Sequence, residues 1–568
     1  MPNMLGLTQL CPIEMKKSVL IILTLFVGAK IFAQEWTYSI ETDTSSDTIT
    51  WSYKEAVELT DGRIAVSGSV HFRSGVGDFY TDHPTTLLLS GDGALLAQND
   101  FFRPGYWGST SPFMLQNSIG DLFALMSYSP DHDSTYFNYF LNYDNPPTDA
   151  IIALYKLDEN MDVMESYEHS YPIDTFENHA DDWWNWMPQE HSGSIFIYSA
   201  FVDEDNIAGV YYKSSTYCPS APRDHDSIFF FRMDFQGNFL DRKGYECSCS
   251  GGMPHLAFRR HHMVKCETGY LYFVQGSGVL LGYGANSNRQ ATVFYLDEDF
   301  NILRYKQIKH YNTIPGYSDN SFYNISVSRS HRNTTYLATS ARSKDDPSHD
   351  EDCRLYEYGD GDNDINPLNY ADRFTAEWDM PATNKAVDVA DDGTVFFAYS
   401  LNVGYNNNLD SWMMIERLDA DLDTLTTFYY DLAIPNERIH SEASAISTTK
   451  NGGILLAFSS YELDESSHNY TSVTKLPSEA FDGIEEAHDN GLKLAVAYPN
   501  PGGNTLHICT GLRNAHLEVY DIAGRLLHEQ DIAHDITVID ASSWPSGIYL
   551  WKLNTNCTEM ESGKWVKE

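Results

Sequence analysis

The sequence predicts an all-β chain: a seven-bladed β-propeller followed by a small β-sandwich. Three observations predict it. A four-strand phrase recurs seven times along the chain. Within each phrase apolar and polar residues alternate, the period of a half-buried strand. Aromatic residues reach 14%, with 37 Tyr and 29 Phe, a globular and β-leaning composition.

The elements follow in order. Met15-Lys16-Lys17 opens a basic segment, Val19 to Gly28 is almost continuously apolar, and Ile31-Phe32-Ala33 supplies small residues for cleavage. That is the layout of a secretory signal peptide. Residues 1–34 are therefore read as a leader, with 1–14 an extension upstream of Met15. No other stretch is long and apolar enough to cross a bilayer. Trp36-Thr37-Tyr38-Ser39-Ile40 is then an orphan strand ahead of the first repeat.

The repeats occupy 35–476. Each begins with a tight turn and an alternating strand that often closes on Ser, as in Asp61-Gly62-Arg63-Ile64-Ala65-Val66-Ser67 and Gly393-Thr394-Val395-Phe396-Phe397-Ala398-Tyr399-Ser400. The turns are read at 62, 120, 193, 269, 333, 393 and 453. A second apolar strand follows and ends in an acidic or Gly-rich turn, as in Val293-Phe294-Tyr295-Leu296-Asp297-Glu298-Asp299. A further strand comes after it. Four strands, A to D, make one blade. A single blade cannot bury both faces, so the units must stack around an axis. The seventh unit lacks its strand D before the polar segment 477–491. The orphan strand at Trp36 is predicted to supply it, which removes two open edges.

The A–B and C–D connections read as tight turns, and the B–C and D–A connections as long loops. In a propeller the two long kinds share one face, where binding is expected. Tyr106 and Trp107 are placed in the first D–A loop, Trp183, Trp184 and Trp186 in the second, and Tyr317 and Trp378 in later ones. Aromatic faces in such loops suit sugar rings or protein hot spots. They are also the residues that pack loops against blades. Asp131-His132-Asp133-Ser134 and Asp224-His225-Asp226-Ser227 mark B–C loops, where Asp and Ser also start turns. Asp360, Asp362 and Asp364 have the alternate spacing that wraps calcium. Ile365 and Ala371 depart from the EF-hand pattern, so a solvated turn is the competing reading. No cofactor is required by the sequence, and calcium is the ion this spacing suits.

Catalytic signatures do not stand out. The chain has no Gly-x-Ser-x-Gly elbow, His-Glu-x-x-His or phosphate-binding loop. A formal net charge of −43 repels nucleic acid and anionic membranes. Eight cysteines in 568 residues do not form a disulfide scaffold.

The tail, 492–568, carries four motifs in order. Tyr498-Pro499-Asn500-Pro501 comes first, then Tyr520-Asp521-Ile522-Ala523-Gly524-Arg525, then Gly547-Ile548-Tyr549, and last Lys564-Trp565-Val566-Lys567. Leu517-Glu518-Val519-Tyr520 alternates as a strand, and several such short strands suggest a small Ig-like sandwich. The four motifs together resemble the type A C-terminal sorting domain of the type IX secretion system of Bacteroidota. The resemblance implies that Tyr498, Pro499, Asn500, Pro501, Tyr520, Asp521, Gly524, Arg525, Gly547, Tyr549, Lys564 and Lys567 form the sorting motif. It implies contact with the secretion machinery, and a mature protein that is secreted or attached to the cell surface after the sorting domain is removed. Between the two ends, the sequence favours a non-catalytic propeller that binds surface glycan or extracellular protein. A hydrolase acting from the loop-rich face and a purely structural surface protein are the alternatives.

Overall fold

The computed structural model describes residues 36–43, 49–73, 80–130, 149–172, 195–213, 226–247, 261–275, 279–280, 283–284, 291–308, 323–342, 351–359, 368–373, 379–401, 411–430, 439–462, 468–481, 495–498, 503–510, 515–522, 524–532, 536–555 and 558–567. Almost all of them are strands. One short 3₁₀ turn, Ser478–Phe481, is the exception, and no helix among the described residues is long and apolar enough to cross a membrane.

Seven antiparallel sheets form the propeller. Blade one runs Ile49–Glu58, Ile64–Arg73, Tyr80–Leu89 and Leu95–Asp100. Blade two runs Tyr106–Gln116, Leu122–Pro130, Asp149–Leu157 and Val163–Pro172. Blade three is Ile195–Asp203, Asn206–Lys213, Asp226–Met233 and Phe239–Cys247. Blade four is His261–Cys266, Gly269–Gln275, Ala291–Leu296 and Ile302–Ile308. Blade five is Tyr323–Arg329, Thr334–Arg342, Glu351–Gly359 and Asn369–Arg373. Blade six splits its strand A into Met380–Pro381 and Val387–Val389, then adds Val395–Leu401, Trp412–Leu418 and Thr424–Tyr430. Blade seven takes Ile439–Thr448, Ile454–Glu462 and His468–Leu476 from the end of the propeller and Trp36–Asp43 from its start.

That closure matches the expectation from the orphan strand. Trp36 pairs with Lys475 and Ile40 with Thr471, antiparallel. The indole Nε1 of Trp36 donates to the Gly91 carbonyl of blade one at 2.9 Å. A Cβ on Gly93 would lie 2.4 Å from the same indole, so only glycine fits beside it.

Side-chain hydrogen bonds cross all seven seams close to the inner strands. Ser69 meets Ser111 at 2.8 Å between blades one and two. Thr110 Oγ1 accepts from the Ile197 amide at 3.0 Å, and Ser199 Oγ from the Met263 amide at 3.2 Å. His262 Nε2 lies 2.9 Å from the Ile325 carbonyl. Ser326 Oγ accepts from the Ala386 amide at 2.9 Å, and Ser400 Oγ from the Ala443 amide at 2.7 Å. Ser444 Oγ closes the ring by donating to the Tyr53 carbonyl at 2.6 Å. Tyr53, Thr110, Ser199, Ser326 and Ser444 all sit at register slips of strand A. A bulge re-aims the groups beside it: the Thr110, Ser199, Ser326 and Ser444 hydroxyls turn toward the next blade, and Tyr53 offers its carbonyl back to blade seven.

The C–D turns plug the seams. Met161, Phe300 and Leu422 hold left-handed backbone at φ 63°, 59° and 66°. Left-handed backbone costs a non-glycine residue about 1–2 kcal/mol. Full burial of such a side chain contributes about 1.5–3 kcal/mol, and the three are 0%, 0% and 5% exposed, so burial wins. The preceding blade binds the plug's carbonyl: Asn99 donates to Met161 O at 2.7 Å and the Tyr245 hydroxyl to Phe300 O at 2.7 Å. At the last seam Phe481 takes this place. It is buried against Phe396 and Phe428, and Thr426 Oγ1 donates to its carbonyl at 2.8 Å. The start of the segment read as a polar linker is thus packed on blade six.

Two sequence expectations are corrected. The turn read at 193 is not the A–B turn of blade three: Ile195–Asp203 is its strand A, and the chain reverses between Asp203 and Asn206. Glu204 takes the left-handed position at φ 55°, so no glycine marks the turn. Tyr106 and Trp107 are not loop residues either. They begin strand A of blade two and pair with Pro130 and Ser129.

The tail forms a sandwich of two sheets. Ala495–Tyr498, Thr505–Thr510 and Ile536–Asp540 make one; Leu526–Asp531, His516–Asp521, Gly547–Thr555 and Thr558–Lys567 make the other. Leu506, Ile508, Leu517, Val519, Trp551 and Trp565 fill the space between them.

Candidate functional site

Strand A of each blade begins at the end where the D–A connection arrives, so its first residues stand at the loop-rich mouth. There an aromatic ladder crosses blades two to four. The Trp107 ring stands edge-on to Phe196, with centroids 5.7 Å apart. Phe196 lies 6.3 Å from Tyr198, and Tyr198 stacks on His261 at 3.9 Å. His261 Nδ1 shares a hydrogen bond with the Tyr272 hydroxyl. Trp107, Phe196 and Tyr198 are half-buried, while His261 and Tyr272 are buried. The ladder therefore presents aromatic surface held by a closed core.

Of the predicted ligand residues, the structure places Trp107 in this ladder. Tyr106 turns instead to Tyr128, 6.4 Å away, under the Arg103 guanidinium at 4.9 Å. Trp183, Trp184, Trp186, Tyr317 and Trp378 lie outside the described residues, as do Asp360, Asp362 and Asp364. The connection carrying the three tryptophans runs into Ile195, at the head of the strand that bears Phe196 and Tyr198. Sequence reasoning missed His261 and Tyr198. The signal available was the pair His261-His262 opening an apolar alternation.

Two imidazole–carboxylate pairs flank the mouth. His71 Nδ1 lies 2.5 Å from Asp82 in blade one, and His440 Nε2 lies 3.0 Å from Glu442 in blade seven. Tyr461 stacks on His440 at 4.5 Å. Burial first, then the charge of Glu442, pushes its phenol up to about 12. His83, buried in strand C of blade one, is held below the usual histidine value by loss of water, against the pull of Asp82 and Asp100. Among the described residues no three His, Cys, Asp or Glu side chains converge as a metal site.

In the tail the motif residues have structural partners. Asp521 Oδ1 accepts from the Arg525 amide at 2.9 Å, and its other oxygen takes the Arg525 guanidinium at 2.6 Å. Gly524 holds φ 79° in that turn. The Tyr549 hydroxyl donates to the Pro545 carbonyl. Lys567 is buried, and its ammonium donates to the carbonyls of Ala541 at 2.7 Å and Trp544 at 2.8 Å. Lys564 pairs with Leu550, Gly547 with Lys567, and Tyr498 ends its strand opposite His507. Pro499, Asn500 and Pro501 lie outside the described residues.

No curated protein matches the chain. Among solved structures it is similar to the NanB sialidase of Streptococcus pneumoniae, at 11% identity over 77% of this chain and 70% of that one, with a TM-score of 0.37. It is similar also to the sialidase of Trypanosoma rangeli, at 8% identity over 91% and 84%, TM-score 0.32. A third is PorZ, a surface component of the type-IX secretion system of Porphyromonas gingivalis, at 9% identity over 94% and 90%, TM-score 0.19. Likeness this distant says nothing about activity; the propeller rests on the chain's own seven sheets. Residues 496–568 match the secretion system C-terminal sorting domain, so the chain is a type IX secretion substrate, secreted or attached to the outer surface.

Proposed function

We propose that the propeller is a binding module displayed outside the cell, which takes glycan or protein on its loop-rich face without chemical turnover. The observation that carries this is the ladder from Trp107 through Phe196 and Tyr198 to His261, continuous in sequence with the Trp-rich connection. Stacked, half-buried rings offer apolar area with polar edges, which suits sugar faces and protein hot spots.

The chain ends support the same orientation. Trp36 and Phe481 lie at the C–D turn end of their blades, opposite the mouth. We therefore place the propeller unit at 36–481 and the linker at 482–494. A tether leaving there turns the loop-rich face away from the surface. Binding to a glycan array, lost on Trp107→Ala and on the Trp183→Ala/Trp184→Ala pair, is the expected result. Hydrolysis of a bound polysaccharide or peptide by the wild-type chain would overturn the non-catalytic reading.

A further inference from the structure

Six of the seven seams are filled from the flat end by described residues. Met161, Phe235, Phe300 and Leu422, each from the C–D turn of one blade, are buried against the blade before it. Phe481 fills the seam between blades six and seven, and Trp36 covers Gly93 between blades seven and one. Between blades four and five the same place is a cavity of about 310 Å³, counting the space open to solvent. Leu271, Phe273, Val293, Tyr295 and Ile308 line it from strands B, C and D of blade four, and Tyr358 from strand C of blade five. All six are 9% exposed or less, so the walls are built as a core.

The chain that can fill this cavity starts at its rim. Gly359 lines the cavity and ends strand C of blade five, and strand D begins at Asn369. The C–D connection is therefore 360–368, against 90–94, 158–162, 234–238, 297–301 and 419–423 in other blades, and is four residues longer. Residues 360–367 lie outside the described residues and read Asp-Gly-Asp-Asn-Asp-Ile-Asn-Pro. Ile365 is the one large apolar side chain among them. Two features of the cavity suit this segment. Lys306 also lines it, which complements Asp360, Asp362 and Asp364. The Tyr358 hydroxyl is buried with no hydrogen-bond partner, and a buried donor left without an acceptor is costly. At filled seams tyrosine hydroxyls hold the turn by its carbonyls: Tyr245 donates to Phe300 O at 2.7 Å and Tyr336 to Ala420 O at 2.9 Å.

We propose that this cavity is the docking site of the chain's own segment 360–367, with Ile365 seated between blades four and five as Phe300 is seated between blades three and four. Backbone carbonyls of the segment give Tyr358 its acceptor, and the carboxylates meet Lys306 at the rim. The seat lies at the C–D turn end, so Asp360, Asp362 and Asp364 are held at the flat end, away from the aromatic ladder. The acidic run then serves the seam and takes no part in binding at the mouth.

A double-mutant cycle in the full chain tests this, read as the urea midpoint of the propeller. Ile365→Ala should lower the midpoint by about 0.7–1.7 M, the effect of emptying a buried isoleucine position. Ile365→Val should lower it by about 0.2–0.5 M, and it serves if the alanine variant does not fold. Val293→Ala removes part of the facing wall. The fall for Ile365→Ala/Val293→Ala should be smaller than the sum of the single falls by about 0.2–1 M, because each substitution removes a contact of the other. Ile119→Ala is the control: that side chain is 81% exposed on an A–B turn, and its loss should leave the midpoint unchanged. Ile365→Ala and Ile365→Val midpoints equal to wild type would mean that the side chain stays in water and that the cavity has another occupant, an apolar ligand or a second copy. Additive shifts would mean that Ile365 is buried elsewhere. Either result overturns the proposal.

Discussion

Removing the Glu58 carboxylate should unlock the closing seam. Glu58 ends strand A of blade one, and Lys475 lies near the end of strand C of blade seven, across from Trp36. Lys475 Nζ sits 3.2 Å from Glu58 Oε1, with the side chains 9% and 7% exposed. Glu58 Oε2 accepts the Lys450 amide at 2.7 Å. Glu58→Ala strands a buried ammonium, a loss of about 3–5 kcal/mol. The Lys450 amide lies on an exposed turn and regains water, so it adds little. Glu58→Leu/Lys475→Met removes both charges and should return to within about 1 kcal/mol of wild type. Urea unfolding followed by tryptophan fluorescence reads the effect. With a slope of about 3 kcal/mol/M the midpoint should fall by about 1–1.7 M for the single variant. Arg332→Ala is the control, since its pair with Asp421 is 50% and 61% exposed and such pairs contribute about 1 kcal/mol or less. A Glu58→Ala midpoint equal to the Arg332→Ala midpoint would refute the buried-pair argument.

Deleting 36–43 should expose the edges of Lys475 and its neighbours and cause aggregation in light scattering; a monomeric product with unchanged melting would sink the closure argument. Phe300→Gly should relieve about 1 kcal/mol of left-handed strain but lose a buried ring, a net loss of about 2–4 kcal/mol in urea unfolding; stabilisation would show that the plug is unimportant. Brief proteolysis should cut first between 482 and 494, and a chain ending at 476 should melt below one ending at 481, because Phe481 seals the last seam. Equal melting would mean that the seam closes without it. His83 has a folded pKa depressed below the ordinary histidine value of about 6.5, so the unfolded chain binds a proton that the folded chain refuses. Its contribution is complete above about pH 6.5 and is lost as pH falls through the window below. His83→Asn should flatten the stability profile there; an unchanged slope would assign the pH response to other groups.

The sequence alone determined the seven blades, the closing strand and the sorting tail. Each follows from local information: period-two alternation sets a strand, Gly and Asp set a tight turn, and the tail motifs lie close in sequence. The seventh blade was legible because its strand D was missing where every other unit had one. Its partner could be named because Trp36–Ile40 alternates with nothing beside it.

Only the tertiary structure decided which neighbour each strand takes and where each side chain is aimed. Ile195-Phe196-Ile197-Tyr198-Ser199 reads as a strand B and is a strand A, because alternation is the same in both and Glu204 turns the chain without glycine. Trp107 reads as a loop residue and lies in a strand, because Gly108 and the slip beside it interrupt the pattern. The serines that recur in the repeats gain their role only when a bulge rotates hydroxyls such as that of Ser199 onto the next blade. Phe481 looks like part of a polar linker, yet it plugs a seam. Strand periodicity fixes local geometry, whereas pairing, bulges and seam contacts join residues far apart in sequence. Those are fixed by the hydrogen bonds and burial that exist only once the ring has closed.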